Sequence, residues 1–207
     1  MRRDVTVIVD YNMGNVASVV NMLWRIGVED IVLSREPEDV YRASKIILPG
    51  VGAFDRGMEH LERYGLREAL DECVLKQGVP VLGICLGMQL LTEASKEGQR
   101  PGLGWIPGQT LRFSFEAGSA LKVPHMGWNY IEVKKENPLL CAANKSRYYF
   151  VHSYYVAPAL PENVVATARY GIEFACAIGH DNVWGVQFHP EKSHRFGMAL
   201  LQNFIEL

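Results

Sequence analysis

Between residues 5 and 85, short apolar runs alternate with stretches of helical period, and this alternation constrains the fold more than any other feature. The runs are "VTVIVD", "DIVLS", "KIILPG" and "VPVLGI". After the first, Val16, Val19, Val20, Leu23 and Trp24 recur at helical spacing and Gly27 closes the segment. After the third comes a long amphipathic stretch, "AFDRGMEHLERYGLREALDECVLKQG". Strands that are apolar throughout, rather than at every second residue, have both faces covered. Such strands alternating with helices predict an α/β fold built on an open, largely parallel central sheet with helices on both faces.

The second half changes period. "TLRFSFE", "NYIEVKK", "RYYFVHSYYVA" and "VVATARY" alternate or carry aromatic and β-branched residues, which predicts antiparallel additions to the sheet. "FACAIGH-DN-VWGVQFHP" reads as a hairpin turning at Asp181 and Asn182. A final helix over "HRFGMALLQNFIEL" would put Phe196, Ala199, Leu200 and Phe204 on one stripe. With 207 residues and no repeat or linker, the expectation is a single domain over 1–207.

Charge and cysteine usage exclude several functions. The formal net charge is −2, and no run of Lys and Arg exceeds two or three residues, so neither nucleic acid nor an anionic membrane is an expected partner. Cysteines stand at 73, 85, 141 and 176, with no C-x-x-C pair and no Cys/His grouping at zinc spacing, so no metal is expected. The apolar run near the N-terminus is too short for a signal peptide. The longest apolar stretch, "VPVLGICLGMQLL", falls well below the roughly 18 residues of a membrane span. These features predict a cytoplasmic, reducing location with thiols available for chemistry.

Three segments carry chemistry. In "GICLGMQLL", Cys85 lies between Gly83 and Gly87 where a strand meets a helix. That pattern suits a nucleophile elbow with Cys in place of Ser, and the helix N-terminus would favour thiolate. A buried cysteine beside packing glycines is the plainer alternative. In "VWGVQFHPEKS", His189 and Glu191 stand at i and i+2, so an extended segment would point both side chains the same way. Pro190 disfavours helix at His189. Glu191 could then orient the imidazole toward Cys85 as a general base, although a histidine closing a strand beside a solvated glutamate has the same pattern. In "LPGVGAF", the turn Pro49-Gly50-Val51-Gly52 lies just past a strand, where open α/β sheets place ligands and where backbone N–H groups can face an oxyanion.

Together "PGVGAF", "VLGICLGMQLL", "VPHMGWN", "YFVHSY" and "GVQFHPEKS", in this order, closely resemble class I (triad-type) glutamine amidotransferases, and among these the glutaminase subunits of imidazole glycerol phosphate synthase or a close paralogue. The resemblance runs from "DYNMGN" to "LLQNF" and implies a flavodoxin-like sheet. It implies Cys85 as nucleophile, His189 as general acid/base and Glu191 as its orienting group. The amides of Val51 and Leu86 would form the oxyanion hole, after a backbone rearrangement in Pro49–Gly52. Gly50, Gly52, Gln89, Glu97 and the backbone at His152, Ser153 and Tyr154 would bind glutamine. No cofactor is implied. The implied partner is a (β/α)8-barrel cyclase that receives ammonia in a heterodimer and makes imidazole glycerol phosphate and an aminoimidazole carboxamide ribotide in histidine biosynthesis. Asn12, Met126 and Trp128 would lie at that interface; Trp128 could equally be core, and Asn12 or Asn15 a helix cap.

Two features depart from the family pattern. "RFSFE" occupies the stretch ahead of "KVPHMGWN", and His194-Arg195-Phe196 follow Ser193. Both resemble paralogues that feed ammonia to a synthase acting on a surface-polysaccharide sugar, which is the alternative acceptor. A non-catalytic scaffold subunit is the remote alternative, disfavoured because all three triad residues are present.

Overall fold

The computed structural model describes residues 5–14, 16–116, 118–140 and 146–207. The first half runs β1 (Thr6–Val9), α1 (Val16–Arg25), β2 (Ile31–Ser34), α2 (Pro37–Val40), β3 (Lys45–Gly50), α3 (Phe54–Arg63), α4 (Leu66–Asp71), β4 (Val81–Cys85) and α5 (Leu86–Leu90). There follow β5 (Ala94–Ser95), β6 (Gly108–Arg112), β7 (His125–Val133), β8 (Arg147–His152), β9 (Tyr154–Pro158), β10 (Val164–Tyr170), β11 (Ile172–His180), β12 (Val183–Val186) and α6 (His194–Ile205).

The main path of the sheet is β2-β1-β3-β4-β12-β11-β10-β7-β8. Neighbours from β2 to β12 pair parallel, and those from β12 to β8 antiparallel. β1, β3 and β4 are buried at every residue. Their period of two then divides them between two layers. Val7, Val9, Ile46, Leu48 and Val81 pack with Phe54, Met58, Leu61 and Leu86 on one face. Ile8, Ile47, Leu82 and Ile84 pack with Val19, Leu23, Leu200 and Phe204 on the other. The β11–β12 hairpin pairs His180 with Val183, so Asp181 and Asn182 form the two-residue turn, with Asp181 at φ 48°.

Several local expectations are corrected. The long amphipathic stretch breaks at Gly65, whose φ of 67° no helix continues through, and a π-helical segment Glu72–Lys76 follows α4. Trp24 is exposed because α1 buries Val19, Met22 and Leu23 instead. In α6 the inner stripe is Gly197, Leu200, Leu201 and Phe204, with Ala199 exposed. Gly197 sets this rotation, since a Cβ there would lie 1.8 Å from the Pro190 carbonyl oxygen. β6 ends at Arg112, and Phe113 turns into an aromatic cluster with Tyr155 and Phe174. Asn12 sits at φ 61° and donates its N–H to its neighbour Asp10 Oδ1 at 3.1 Å, too far ahead of α1 to cap it. Asn15 and Cys141 lie outside the described residues. No helix among the described residues is long and apolar enough to cross a membrane.

Candidate active site

Three neighbouring parallel strands end side by side, and each delivers one of the chemically interesting segments. Cys85 closes β4; Gly50 pairs with it across β3, and Val186 pairs with Ile84 from β12, three residues before His189. These are the carboxyl ends of the strands, the usual place for a site in an open α/β sheet.

Cys85 adopts φ 54° and ψ −107°, a conformation that costs a non-glycine residue energy and persists only where the surroundings enforce it. The two glycines supply that enforcement. A Cβ on Gly87 would lie 1.7 Å from the Leu48 carbonyl oxygen, and one on Gly83 would lie 2.7 Å from the Gly87 backbone. The elbow is therefore folded tightly against β3, with Cys85 almost wholly buried at the first turn of α5.

His189 and Glu191 meet by a route other than the one expected. The chain leaves His189 extended and enters a 3-10 turn at Pro190–Lys192, so their approach does not depend on a shared strand face. The turn is pinned by Ser193, whose hydroxyl donates to the His189 carbonyl at 2.6 Å and accepts from the Tyr149 N–H at 3.0 Å. His189 Nδ1 lies 2.7 Å from Glu191 Oε1, both side chains nearly excluded from solvent. Burial alone would lower the imidazole pKa, but the Cys85 sulfur and the Glu191 carboxylate outweigh it and push it up to about 10. His189 Nε2 and Glu191 Oε2 have no hydrogen-bond partner among the described residues. A cavity of about 130 Å³ opens beside them, lined by Met13, Gly50, Val51 and Ile84 among others.

The loop after β3 is turned away from this centre. The Val51 N–H donates to the Met13 carbonyl at 3.2 Å, so it does not face Cys85, while the Val51 side chain is exposed. Gly50 and Gly52 flank it, Gly52 at φ 121°. A Cβ on Gly50 would lie 2.1 Å from the Tyr11 hydroxyl and 3.2 Å from Leu86 Cβ. Leu86 opens α5, where N–H groups have no intrahelical acceptor.

Gln89, one turn into α5, is buried and donates to the Tyr154 carbonyl at 3.3 Å and to Gln187 Oε1 at 3.1 Å. It is thus brought to the His152–Ser153–Tyr154 segment at the junction of β8 and β9. Glu97 is placed differently: its Oε2 accepts the Phe54 N–H at 2.9 Å, capping α3 two residues past Gly52. Asp55 accepts the N–H groups of Gln99 and Arg100, which hold its carboxyl below the ordinary range and fix the Glu97 turn against α3. Met126 and Trp128 stand exposed on β7 at alternate residues, together with Tyr130. Trp128 is therefore surface and not core, stacked on His194 and beneath the Arg147 guanidinium. Among the described residues no group of three or more His, Cys, Asp or Glu side chains gathers as a metal ion would need.

Sequence reasoning passed over Gln187, wholly buried near Cys85, and the buried side-chain pairing of His125 with His152, of which only the His152 backbone was expected in the site. One signal was available for Gln187: a lone amide at the end of the apolar run "VWGVQF" must find partners inside the protein.

Comparison with known proteins supplies the context for this arrangement. A family model described as "Glutamine amidotransferase class-I" matches residues 7–207. The chain is 50% identical over 202 residues to "Imidazole glycerol phosphate synthase subunit HisH 2" of Pseudomonas aeruginosa, covering 97% of this chain and 98% of the relative. It is 48% identical over 200 residues to the protein of the same name from Methanococcus maripaludis, covering 96% and 98%. The subunit HisH of Bdellovibrio bacteriovorus is 46% identical over 202 residues, covering 97% and 98%. Among solved structures, a crystal structure of a glutamine amidotransferase superposes with TM-score 0.76 at 19% identity, covering 98% of this chain and 97% of that one. A chain of PurLQS from Thermotoga maritima gives TM-score 0.71 at 20% identity, covering 100% and 99%. At these identities the structural matches establish the fold, which is the one expected.

Proposed function

The chain belongs to the class I glutamine amidotransferase family, and from that premise we propose that it is the glutaminase subunit of an imidazole glycerol phosphate synthase, active in histidine biosynthesis. The observation that carries the chemistry is Cys85 held at a strained elbow beside a buried His189–Glu191 pair 2.7 Å apart.

The steps follow from the charge states. With its pKa raised to about 10, His189 carries a proton at neutral pH, and the neighbouring sulfur is suited to act as thiolate. The thiolate attacks the side-chain amide carbon of glutamine and forms a tetrahedral oxyanion. His189 gives its proton to the departing nitrogen, which leaves as ammonia, and a thioester remains on Cys85. Neutral His189 then takes a proton from water, whose hydroxide attacks the thioester. Collapse releases glutamate and restores the thiolate and the protonated imidazole. Glu191 orients the ring and balances its charge throughout.

The N–H groups of Leu86 and Val51 are the proposed oxyanion donors. Because Val51 donates to Met13 at rest, the Gly50–Val51 peptide must turn before the hole is complete, and the flanking glycines permit that turn. Gln89, Glu97 and the His152–Tyr154 backbone are the proposed contacts of the amino-acid end of glutamine. We assign the partner as a (β/α)8-barrel cyclase docking on Met126 and Trp128, with Asn12 at the rim. Exposed Met and Trp side chains fit the core of such an interface. From the Trp128 face the path to the triad is short: Trp128 touches Tyr149 edge-on, and the Tyr149 carbonyl accepts the His189 N–H at 2.9 Å.

One observation favours a second reading, in which the same glutaminase supplies another acceptor such as a surface-polysaccharide sugar. His194, Arg195 and Phe196, which depart from the family pattern, line one concavity with Trp128 and so sit on the proposed partner face. The test is glutamate release by wild type and Cys85→Ala with the candidate barrel partner and its ribonucleotide ligand. Turnover that needs Cys85, the partner and the ligand supports the histidine pathway. Turnover only with a different synthase moves the glutaminase to that acceptor, and none with any partner rejects the assignment.

A further inference from the structure

Beneath the triad two branches of hydrogen bonds converge on the Tyr154 carbonyl, one from β7 and one from the sulfur of Cys85, and their donor directions can be read from it. The Tyr154 carbonyl can only accept. His152 Nδ1 lies 2.7 Å from it and therefore carries a proton. Burial keeps both His152 and His125 neutral, with pKa values lowered to about 3 and about 4. His152 Nε2 must then be the acceptor in its 2.9 Å contact with His125 Nδ1, which is the donor. His125 Nε2 is left to accept from Asn129 Nδ2 at 3.3 Å, and Asn129 is itself oriented by the Tyr130 N–H, which donates to its Oδ1 at 2.8 Å. Stacking of His125 on Tyr170 and Phe150 holds the ring in place.

The second branch starts at the same carbonyl. Gln89 must turn its Nε2 toward Tyr154 O, and that same nitrogen reaches Gln187 Oε1 at 3.1 Å. Gln187 therefore presents its oxygen to Gln89 and its nitrogen to the other side, where Nε2 lies 3.7 Å from Cys85 Sγ. Flipping the Gln187 amide would oppose two NH2 groups and place an oxygen against a negatively charged sulfur. Both errors are costly in a site from which water is excluded.

We infer that Gln187 is a further catalytic residue, donating from its side-chain amide to the Cys85 sulfur and holding it as an oriented thiolate, with Gln89, turned by the Tyr154 carbonyl, fixing which end of the amide faces it. The inference rests on the glutaminase assignment for its purpose but not for its geometry.

The test compares Gln187→Met and Gln187→Glu with wild type in the full chain, reading carbamidomethylation of Cys85 by iodoacetamide through the mass of its peptide. Loss of one donor to a charged sulfur should slow modification about tenfold, and Glu should slow it further. With the partner present, kcat should fall about tenfold with KM changed less than about twofold, as expected for a group acting on the reacting atom. Wild-type alkylation rates in folded Gln187→Met would overturn the proposal. Should that variant not fold, Gln187→Glu, which has the same shape, carries the decision by the same readout. Alkylation needs no glutamine, so absence of turnover in wild type would reject the glutaminase assignment while leaving this result readable.

Discussion

The Val51 N–H donates to the Met13 carbonyl across 3.2 Å, and this bond holds the loop after β3 in a form that faces the first strand's loop instead of the nucleophile. Gly14, at φ 113°, packs beneath the same contact, where a Cβ would lie 3.0 Å from Val51 Cγ2. One donor of the proposed oxyanion hole is thus engaged elsewhere while the triad pair is already in place. The isolated chain should turn over glutamine slowly. A missing oxyanion donor costs a hundredfold or more in kcat, so bound partner and ligand should raise glutamate release by about a hundredfold. Equal turnover with and without partner, measured by coupled glutamate oxidation, would show that the loop needs no rearrangement.

The Tyr11 hydroxyl is fully buried against Gly50 and has no hydrogen-bond partner among the described residues. Burial, and then the Cys85 charge, raise its pKa far above the ordinary phenol value, so it stays neutral. An unpaired buried hydroxyl is a standing cost, and Tyr11→Phe keeps the ring. That variant should gain about 1 kcal/mol of stability. The urea midpoint should rise at unchanged slope; a fall would mean that the hydroxyl has a partner in solution.

Stability should peak near neutral pH for opposed reasons. His125 and His152 have pKa values lowered to about 4 and about 3, so below the ordinary 6.5 the unfolded chain takes up protons that the folded chain refuses. Stability then falls as pH drops from about 6.5 toward 4. His189 behaves in the opposite way. Its pKa of about 10 means that the folded chain keeps a proton the unfolded chain releases, so its contribution, complete below 6.5, is lost as pH rises toward 10. Urea unfolding at acid, neutral and alkaline pH checks both arms. Glu191→Gln should flatten the alkaline arm, and His125→Gln the acid one.

Trp128 stands on the surface between the Arg147 guanidinium and the His194 ring, with Met126 and Tyr130 exposed on either side of it along β7. Removing a central aromatic from an interface commonly costs about 2 kcal/mol, which is about thirtyfold in Kd. Trp128→Ala should weaken partner binding by that factor in a titration calorimeter. Its melting temperature should stay close to wild type, because the ring lies on the surface against Tyr149, His194 and Arg147 and outside the core.

The alternation of apolar strands with helices determined the α/β class, because strands covered on both faces are predominantly apolar: β1 and β3 are so from their second residue onward and β4 throughout. The elbow was equally legible, since Gly83 and Gly87 leave room that only a tight strand-to-helix turn uses. The pairing of His189 with Glu191 was read correctly from an incorrect geometry. An i, i+2 spacing serves an extended strand and a 3-10 turn alike, and Ser193 and Tyr149, remote in sequence from one another, select the turn. Tertiary structure alone decided the rest. Which N–H faces an oxyanion depends on one peptide orientation in a glycine-flanked loop, where the backbone has several states of similar energy and Met13 selects among them. The contacts that link Tyr154 on β9, Gln89 on α5 and Gln187 just past β12 to Cys85 at the end of β4 join segments remote in sequence, and no local pattern encodes them. A buried polar residue announces only that partners exist, and their identity is set by which strand ends the fold brings together.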